Sequence, residues 1–351
     1  MNPLHMKPRH TRPAWDLPSG TPLREQYPVL PVGVIIPTLN AMAYLPAHLE
    51  TVSGWGSQVE ELTVVDSFSN DGTFEFLSRN LTGPSTRILR RPRGLYDSWN
   101  FGIGHIHAKY TYVSTVGDVI TLEGLQHLVD VAEKFQAEVV VSPPRSVSHD
   151  SQPVTKIRWP VEDIIEWLAI TAPAAISSVH AFLASAMPMR EGILGSSASN
   201  LYRTDLLKRC PFPTDCGHAG DTAWSLKYGL NARFAVTPSA VAQFLIHPKN
   251  IPGGDAERVR YFEMFFDIAL EACRTSGPQG LQPLLTTLRA RTADLRDAQR
   301  VYDFWRKHRF PWILNPRAWQ LRARRNQRRA AVATMKSEIR SKFGLCPKAT
   351  H

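Results

Sequence analysis

Asp66 and Asp71 stand in the stretch VVDSFSNDGT (64–73), where an apolar run gives way to a loop of small, turn-forming residues. A carboxylate only accepts hydrogen bonds, so two of them in one loop select a ligand rich in N–H or hydroxyl donors. The bland alternative is that both acids cap the helix beginning near Gly72 and Thr73. Capping explains Asp71 and leaves Asp66 without a role. His105 and His107 alternate in GIGHIHAKY and could mimic a metal pair, but on a helix they point to different faces and are read as structural.

The elements around these residues decide where they meet. From 32 to 141 short apolar runs alternate with helix-like stretches: VGVII, then 44–53; ELTVV, then 72–80; TRILR, then 95–107; YTYVS, then 121–136; and finally AEVVV. Strand–helix–strand repetition predicts right-handed crossovers and an open, mostly parallel sheet. Ligands of such sheets sit outside the carboxyl ends of the strands, where PTLN (37–40), DSFSNDG (66–72) and GD (117–118) all fall. A dinucleotide fingerprint G-x-G-x-x-G should follow the first strand, where this chain reads PTLNAM, so NAD binding is not supported.

The totals narrow the class. The chain has 351 residues, 43% hydrophobic and 21% charged, enough for one large core or two ordinary ones. Its four cysteines, Cys210, Cys216, Cys273 and Cys346, form no C-x-x-C pair, which argues against a disulfide framework or structural zinc and for a reducing cytosol. Prolines and charges in residues 1–20 interrupt any secretory core. The uncharged run 167–188 is long enough for a bilayer but holds Pro173, His180 and many Ala and Ser, so it reads as a pair of helices lining a cleft. Net charge is +10 and belongs to the tail, where residues 300–351 hold 14 Lys and Arg against Asp303 and Glu338.

Seven stretches in order, VGVIIPTLNAMAYL, ELTVVDSFSNDGT, RGLYDSWNFGI, YTYVSTVGD, SSASNLYRTDLL, HAGDTAW and FLIHPKN, resemble the inverting GT-A glycosyltransferases of family 2 over about 32–250. The resemblance implies an α/β fold of the GT-A type: a Rossmann-like open, mostly parallel sheet flanked by helices, here with a C-terminal basic helical extension. The expected organisation is an irregular N-terminal extension (1–31), a GT-A domain (32–250) with a nucleotide-binding half (32–141) and an acceptor and catalytic half (142–250), and a helical, basic region (251–351).

Carried over residue by residue, the resemblance makes Asp66 the acceptor for the base or ribose of a nucleotide-sugar. Pro37, Thr38 and Asn40 lie beside it, and Asp71 braces the loop. Asp97 and Asn100, one turn apart, either order the donor pocket or cap their helix. Arg93 is no strict family position and is expected near the diphosphate. Where the family has a D-x-D or D-D pair this chain reads STVGD, leaving Asp118 as the one acid for a divalent cation, Mn²⁺ or Mg²⁺, with His247 reaching back toward it. Asp221 aligns with the acid of the family's E-D motif and is the expected general base, with Gly220 where the family usually has Glu; an ordinary N-cap is the competing reading.

The expected reaction is inverting transfer from a nucleotide-diphosphate sugar, with UDP-sugar favoured, to a carbohydrate or lipid-linked hydroxyl acceptor in polysaccharide or glycolipid assembly. Trp159, Trp167 and Phe182 could stack on that acceptor or belong to the core. The tail, with Arg and Lys interleaved with Trp305, Trp312 and Trp319, suits an anionic membrane or a solvated helix, and places the protein in the cytoplasm or on the inner face of the membrane. The alternatives are a catalytically silent GT-A binding or scaffolding module, and a nucleic-acid binder acting through the arginine tail, for which no recognition module is present. The Gly-rich loop of a sugar-phosphate nucleotidyltransferase is missing after the first strand.

Overall fold

The computed structural model describes residues 29–148, 157–187, 192–246, 255–308 and 316–345. In chain order it forms β1 (Leu30–Thr38), α1 (Leu45–Ser53), β2 (Val59–Asp66), α2 (Thr73–Asn80), β3 (Thr86–Arg90), α3 (Leu95–Gly104), β4 (Tyr110–Val113), β5 (Val119–Ile120), α4 (Leu122–Phe135) and β6 (Val139–Val141). There follow β7 (Arg145–Ser148), α5 (Pro160–Trp167), β8 (Ala174–Ile176), α6 (Ser178–Ala186), β9 (Asn200–Arg203), α7 (Thr204–Arg209), α8 (Gly220–Tyr228), β10 (Phe234–Val236) and β11 (Ala242–Ile246). Three long helices end the described chain: α9 (Asp255–Ser276), α10 (Leu281–His308) and α11 (Pro316–Lys342).

The main sheet has the order β3-β2-β1-β4-β9-β6-β10-β8. β1 pairs in parallel with β2 and β4, β2 with β3, and β6 with β10, whereas β9 and the edge strand β8 run antiparallel. Strand order reverses at β1, which opens a crevice at the carboxyl ends of β1 and β4. The side chains obey the two-residue period of a strand. Val32, Val34 and Ile36 of β1 join one core with α1 and α4, and Ile35 joins the other with α3 and the later helices. A small second sheet, β5-β11-β7, ties the segment after β4 to the segment before residue 247.

Several expectations change. The first strand begins at Leu30, inside the segment expected to be irregular; residues 1–28 lie outside the described ones. The helix expected over 95–107 ends at Gly104, so His105 and His107 follow it, His105 bonded to the Phe101 carbonyl and His107 to Glu61. The run 167–188 is one strand and one helix, because Ala174–Ile176 pair with β10 as an edge strand and Ala169 takes a positive φ of 50° just before it. No helix among the described residues is long and apolar enough to cross a membrane. Trp159 and Phe182 are buried in the core, Trp159 edge-on to Phe244 at 5.2 Å; Trp167 is half-buried, with the Arg340 guanidinium 5.1 Å from its ring. Trp312 lies outside the described residues.

The arginine-rich tail is also not a free appendage. Leu281, Leu285 and Leu288 of α10 and Val332, Met335 and Ile339 of α11 are buried in the same core as Phe182 and Trp224. His180 of α6 bonds the Phe343 carbonyl at 2.8 Å, fixing the end of α11 to the middle of the domain.

Candidate functional site

The crevice is built first from two loops that brace one another. Thr38 and Asp66 are register partners at the ends of β1 and β2, and the Ser67 N–H continues the ladder by donating to the Thr38 carbonyl at 2.9 Å. Asn40 takes a positive φ of 49°, a conformation that Asn tolerates, and its side-chain oxygen accepts from the Asn70 N–H at 3.0 Å. Asp71 receives the Met42 N–H at 3.0 Å and both the N–H and hydroxyl of Thr73 at 3.1 and 2.6 Å. Slight burial works against its charge, but these donors outweigh it and hold its carboxyl below the usual range. Asp71 therefore locks the β1 and β2 loops together and satisfies the start of α2. Pro37 lies in the β1 strand beneath this loop pair.

Asp66 is fully buried. Ser69 donates its N–H at 3.1 Å and its hydroxyl at 2.5 Å, Thr38 its hydroxyl at 3.3 Å, and Arg90 its Nε–H at 3.3 Å. The Arg90 guanidinium lies 4.1 Å from the Phe74 ring centre and 4.9 Å from that of Phe68, an exposed aromatic with a positive φ of 53°. All of these donors come from within the fold, so a ligand would meet Asp66 only by taking the place of one of them. Arg90 was missed in the sequence; the signal was the pair Arg90-Arg91 closing the β3 apolar run.

The first turn of α3 joins the β2 loop to the later half of the chain. Ser98 meets Ser67 hydroxyl to hydroxyl at 3.1 Å. Asp97 pairs with Arg91 at 3.5 Å, and Arg93 is exposed with no ion pair among the described residues. The N-cap position of α3 is Gly94, so neither Asp97 nor Asn100 caps it. Asn100 instead exchanges two hydrogen bonds with the backbone of Phe212, donating to its carbonyl at 2.8 Å and accepting its N–H at 2.9 Å. It is a strut holding the segment that leads to α8.

Asp221 sits at the second position of α8, whose N-cap is Ala219, so the capping alternative fails. Tyr96 of α3 is its neighbour, with its hydroxyl between the His218 carbonyl, 3.1 Å away, and the Asp221 carboxylate. Burial pushes the Asp221 carboxyl up to about 6, against the pull of the Thr222 N–H, Tyr96, the Thr222 hydroxyl and the nearby His218. The first turn of a helix also favours a carboxylate there. Such a group is a base at neutral pH and close to its own midpoint. Gly220 explains the departure from the E-D pattern. A Cβ there would lie 2.4 Å from the Tyr96 ring and 2.6 Å from the Pro213 carbonyl oxygen, so no side chain fits.

Asp118 lies on the other side of β1, at the end of the loop after β4. Gly117 before it has a φ of 103°, which an Asp of an acidic pair would adopt only with strain. The Leu245 N–H donates to Asp118 Oδ1 at 2.9 Å, while Oδ2 accepts no hydrogen bond among the described residues. Burial pushes its carboxyl up to about 7, only partly offset by that N–H. His48 is near the Asp118 backbone and bonds Ser114 at 3.1 Å, but burial lowers its pKa to about 4, so it is neutral and supplies no countercharge. A buried carboxylate with one uncommitted oxygen and no fixed cation fits one ligand of a divalent metal whose other ligands come from a diphosphate and water. Among the described residues no group of three His, Cys, Asp or Glu could hold a metal by itself. His247 lies outside the described residues, two positions beyond Leu245.

The Ser67–Ser98 and Tyr96–Asp221 contacts link the Asp66 loop through α3, which carries Asp97, to Asp221, whereas Asp118 is tied to Leu245 of β11 and joins none of the other three acids by a hydrogen bond among the described residues. A cavity of 690 Å³ lies elsewhere, between α8 and α9, and reaches the loop before Asp221 through Pro213, Asp215 and Cys216.

Residues 33–193 match the family model described as glycosyl transferase family 2. No curated protein matches the chain in sequence. Among solved structures, the crystal structure of S. aureus TarS 1–349 in complex with UDP-GlcNAc matches with a TM-score of 0.50 and 16% identity, over 89% of this chain and 92% of that one. The complex of TarS 1–349 with UDP gives a TM-score of 0.49 and 17% identity over 89% and 91%. At such identity the likeness speaks for the fold, a GT-A fold.

Proposed function

We propose, from the match of residues 33–193 to the glycosyl transferase family 2 model, that the chain transfers a sugar from a nucleotide-diphosphate sugar to a hydroxyl acceptor with inversion at the anomeric carbon. The observation that carries this reading is the half-buried Asp221 at the start of α8, its carboxyl pushed up to about 6 and accepting from Tyr96, on the helix that also contacts the β2 loop. One carboxylate serves the reacting carbon, so a single in-line displacement follows: the acceptor hydroxyl gives its proton to Asp221 as its oxygen bonds the anomeric carbon, and the nucleoside diphosphate leaves with the electron pair.

Asp66, shared with Arg90, receives a donor N–H or hydroxyl of the nucleoside, and Thr38, Asn40 and Asp71 fix the loops around it. UDP-sugar is the favoured donor; the solved relative TarS was crystallised with UDP-GlcNAc. Asp118, with His247, is the proposed holder of Mn²⁺ or Mg²⁺. When bound, that cation would neutralise the Asp118 carboxylate and the charge building on the leaving diphosphate. Arg91 and Arg93 add positive charge on the same edge. The acceptor is proposed to be a carbohydrate or a lipid-linked glycan.

Thermal-shift measurements with UDP-, GDP- and dTDP-sugars, with and without Mn²⁺, test donor and metal together, because a ligand of the folded state raises Tm by mass action. A metal-dependent shift with one nucleotide supports the reading, and NMR of the first-formed product then reads the anomeric configuration. No shift with any donor, or retained configuration, refutes it.

A further inference from the structure

Among the described residues four other than glycine take a positive φ: Asn40, Phe68, Gln136 and Ala169. Gln136 and Ala169 lie at the ends of α4 and α5, where a left-handed residue closes a helix, and Asn40 sits in the turn after β1 with its amide oxygen in use. Phe68, at φ 53°, ends no helix and is a bulky residue in a conformation that such residues rarely adopt. Core packing does not offset that strain, because the side chain is 54% exposed. Strain of this kind gathers at ligand clamps.

The neighbours hold Phe68 in place. Ser67 donates its N–H to the Thr38 carbonyl and meets Ser98, and Ser69 gives both its N–H and its hydroxyl to Asp66, so the two flanking serines are buried and the ring between them projects from the loop. On the facing loop Leu39 is a second large apolar side chain in solvent, between Thr38, which takes the Ser67 N–H, and Asn40, whose N–H goes to Ser69 Oγ. Behind Phe68 the Arg90 guanidinium lies between its ring and that of Phe74, and the ion pair with Asp66 fixes the guanidinium there. With one side of Phe68 against Arg90, its exposure belongs to the outer side.

A flat, delocalised group completes such a stack. The carboxyl ends of β1 and β2 border the crevice where an open α/β sheet holds its ligand, and the flat, delocalised part of a nucleotide-sugar is its base. Asp66 supplies little of the affinity for that base. Its oxygens already take donors from Ser69, Thr38 and Arg90, so a base N–H arriving there replaces one hydrogen bond by another with little net gain.

We propose that the nucleobase of the donor stacks on the outer face of Phe68, beside Leu39, with Arg90 and Phe74 as the layers behind it. The platform presupposes the transferase reading and names the group that grips the base, leaving the edge of the base to Asp66.

Calorimetry of the full chain with UDP, GDP and dTDP reads the contribution of the ring, using whichever of the three the parent binds most tightly. Phe68→Gly removes the ring and suits the positive φ, so Tm should hold at or above the parent value while affinity falls by about tenfold. Phe68→Tyr keeps a stacking face and should retain the parent affinity. Equal affinity in the parent and in Phe68→Gly overturns the platform and leaves the transferase reading standing. Equal loss in Phe68→Tyr and Phe68→Gly also overturns it, making this position a brace of the loop. No binding of any of the three nucleotides to the parent removes the transferase reading and the platform together.

Discussion

The Arg90 guanidinium meets the buried Asp66 carboxylate at 3.3 Å across the ends of β2 and β3, between the rings of Phe68 and Phe74. The pair is asymmetric: the acid is sealed, while the Arg90 side chain is 37% exposed at the crevice. Arg90→Ala would leave Asp66 with Ser69 and Thr38 as donors but without a cation. The expected cost is about 1–3 kcal/mol in urea unfolding, below that of a fully buried pair because of the exposure. Donor affinity measured by calorimetry should fall with it. Arg90→Lys should recover only part, since an ammonium cannot lie flat between the two rings.

Activity should rise with pH through about 6 as Asp221 ionises, since the base works as the carboxylate. Tyr96 lowers the Asp221 pKa, so Tyr96→Phe should move the acid limb of the kcat/KM profile to higher pH. Asp221→Asn should reduce kcat by about 10²–10⁴ while leaving donor-induced thermal shifts in place. Loss of donor binding in that variant would make Asp221 a structural residue.

Asp118 carries the opposite signature, a cost to the fold. Its folded pKa of about 7 stands above the ordinary 3.8, so the folded state binds more protons than the unfolded one between these values. Stability from this group therefore falls as pH rises from about 4 to 7 and stays reduced above. Asp118→Asn keeps an acceptor for the Leu245 N–H and removes the charge. It should raise stability by about 4 kcal/mol at pH 8 and leave it unchanged near pH 3.5, read from denaturant curves at both pH values. The same variant should abolish any Mn²⁺-dependent shift with donor.

Gly220→Glu would rebuild the acidic pair in sequence and should fail in structure. The Cβ meets Tyr96 and the Pro213 carbonyl, neither of which can give way without moving α3 or the loop. Loss of activity with a clear drop in Tm is expected, and a more active Gly220→Glu enzyme would show that the loop before α8 adapts.

Asn100→Ala should act at a distance. Removing two hydrogen bonds to Phe212 costs about 1–3 kcal/mol and loosens the segment ahead of Asp221. The kinetic expectation is a lower kcat with an unchanged donor KM.

The early crossover units were legible because their signals are local. Apolar runs of strand length alternate with helix-like stretches, and β1 to β4 and β6 with α1 to α4 follow them closely. What was not legible depends on pairing over long sequence distances. β8 hides in a run of Ala and Ser and is a strand only because β10 accepts it. β5, β7 and β11 are too short to announce themselves, and together they decide that Asp118 is capped by Leu245. In the site, Asp66 and Asp71 could be picked out from the loop that holds them. Tyr96 had no signal, since its meaning comes from a helix over a hundred residues later. The tail misled in a different way: the density of Arg obscured Val332, Met335 and Ile339, which seat it.

That seating sets how the molecule comes apart. Phe182 and Trp224 of the sheet-bearing part share one apolar interior with Phe265, Leu285 and Ile339, so a chain ended after residue 250 would bare a wide greasy wall rather than shed an accessory. The three closing helices behave as a keel, and heating should capsize hull and keel in a single transition.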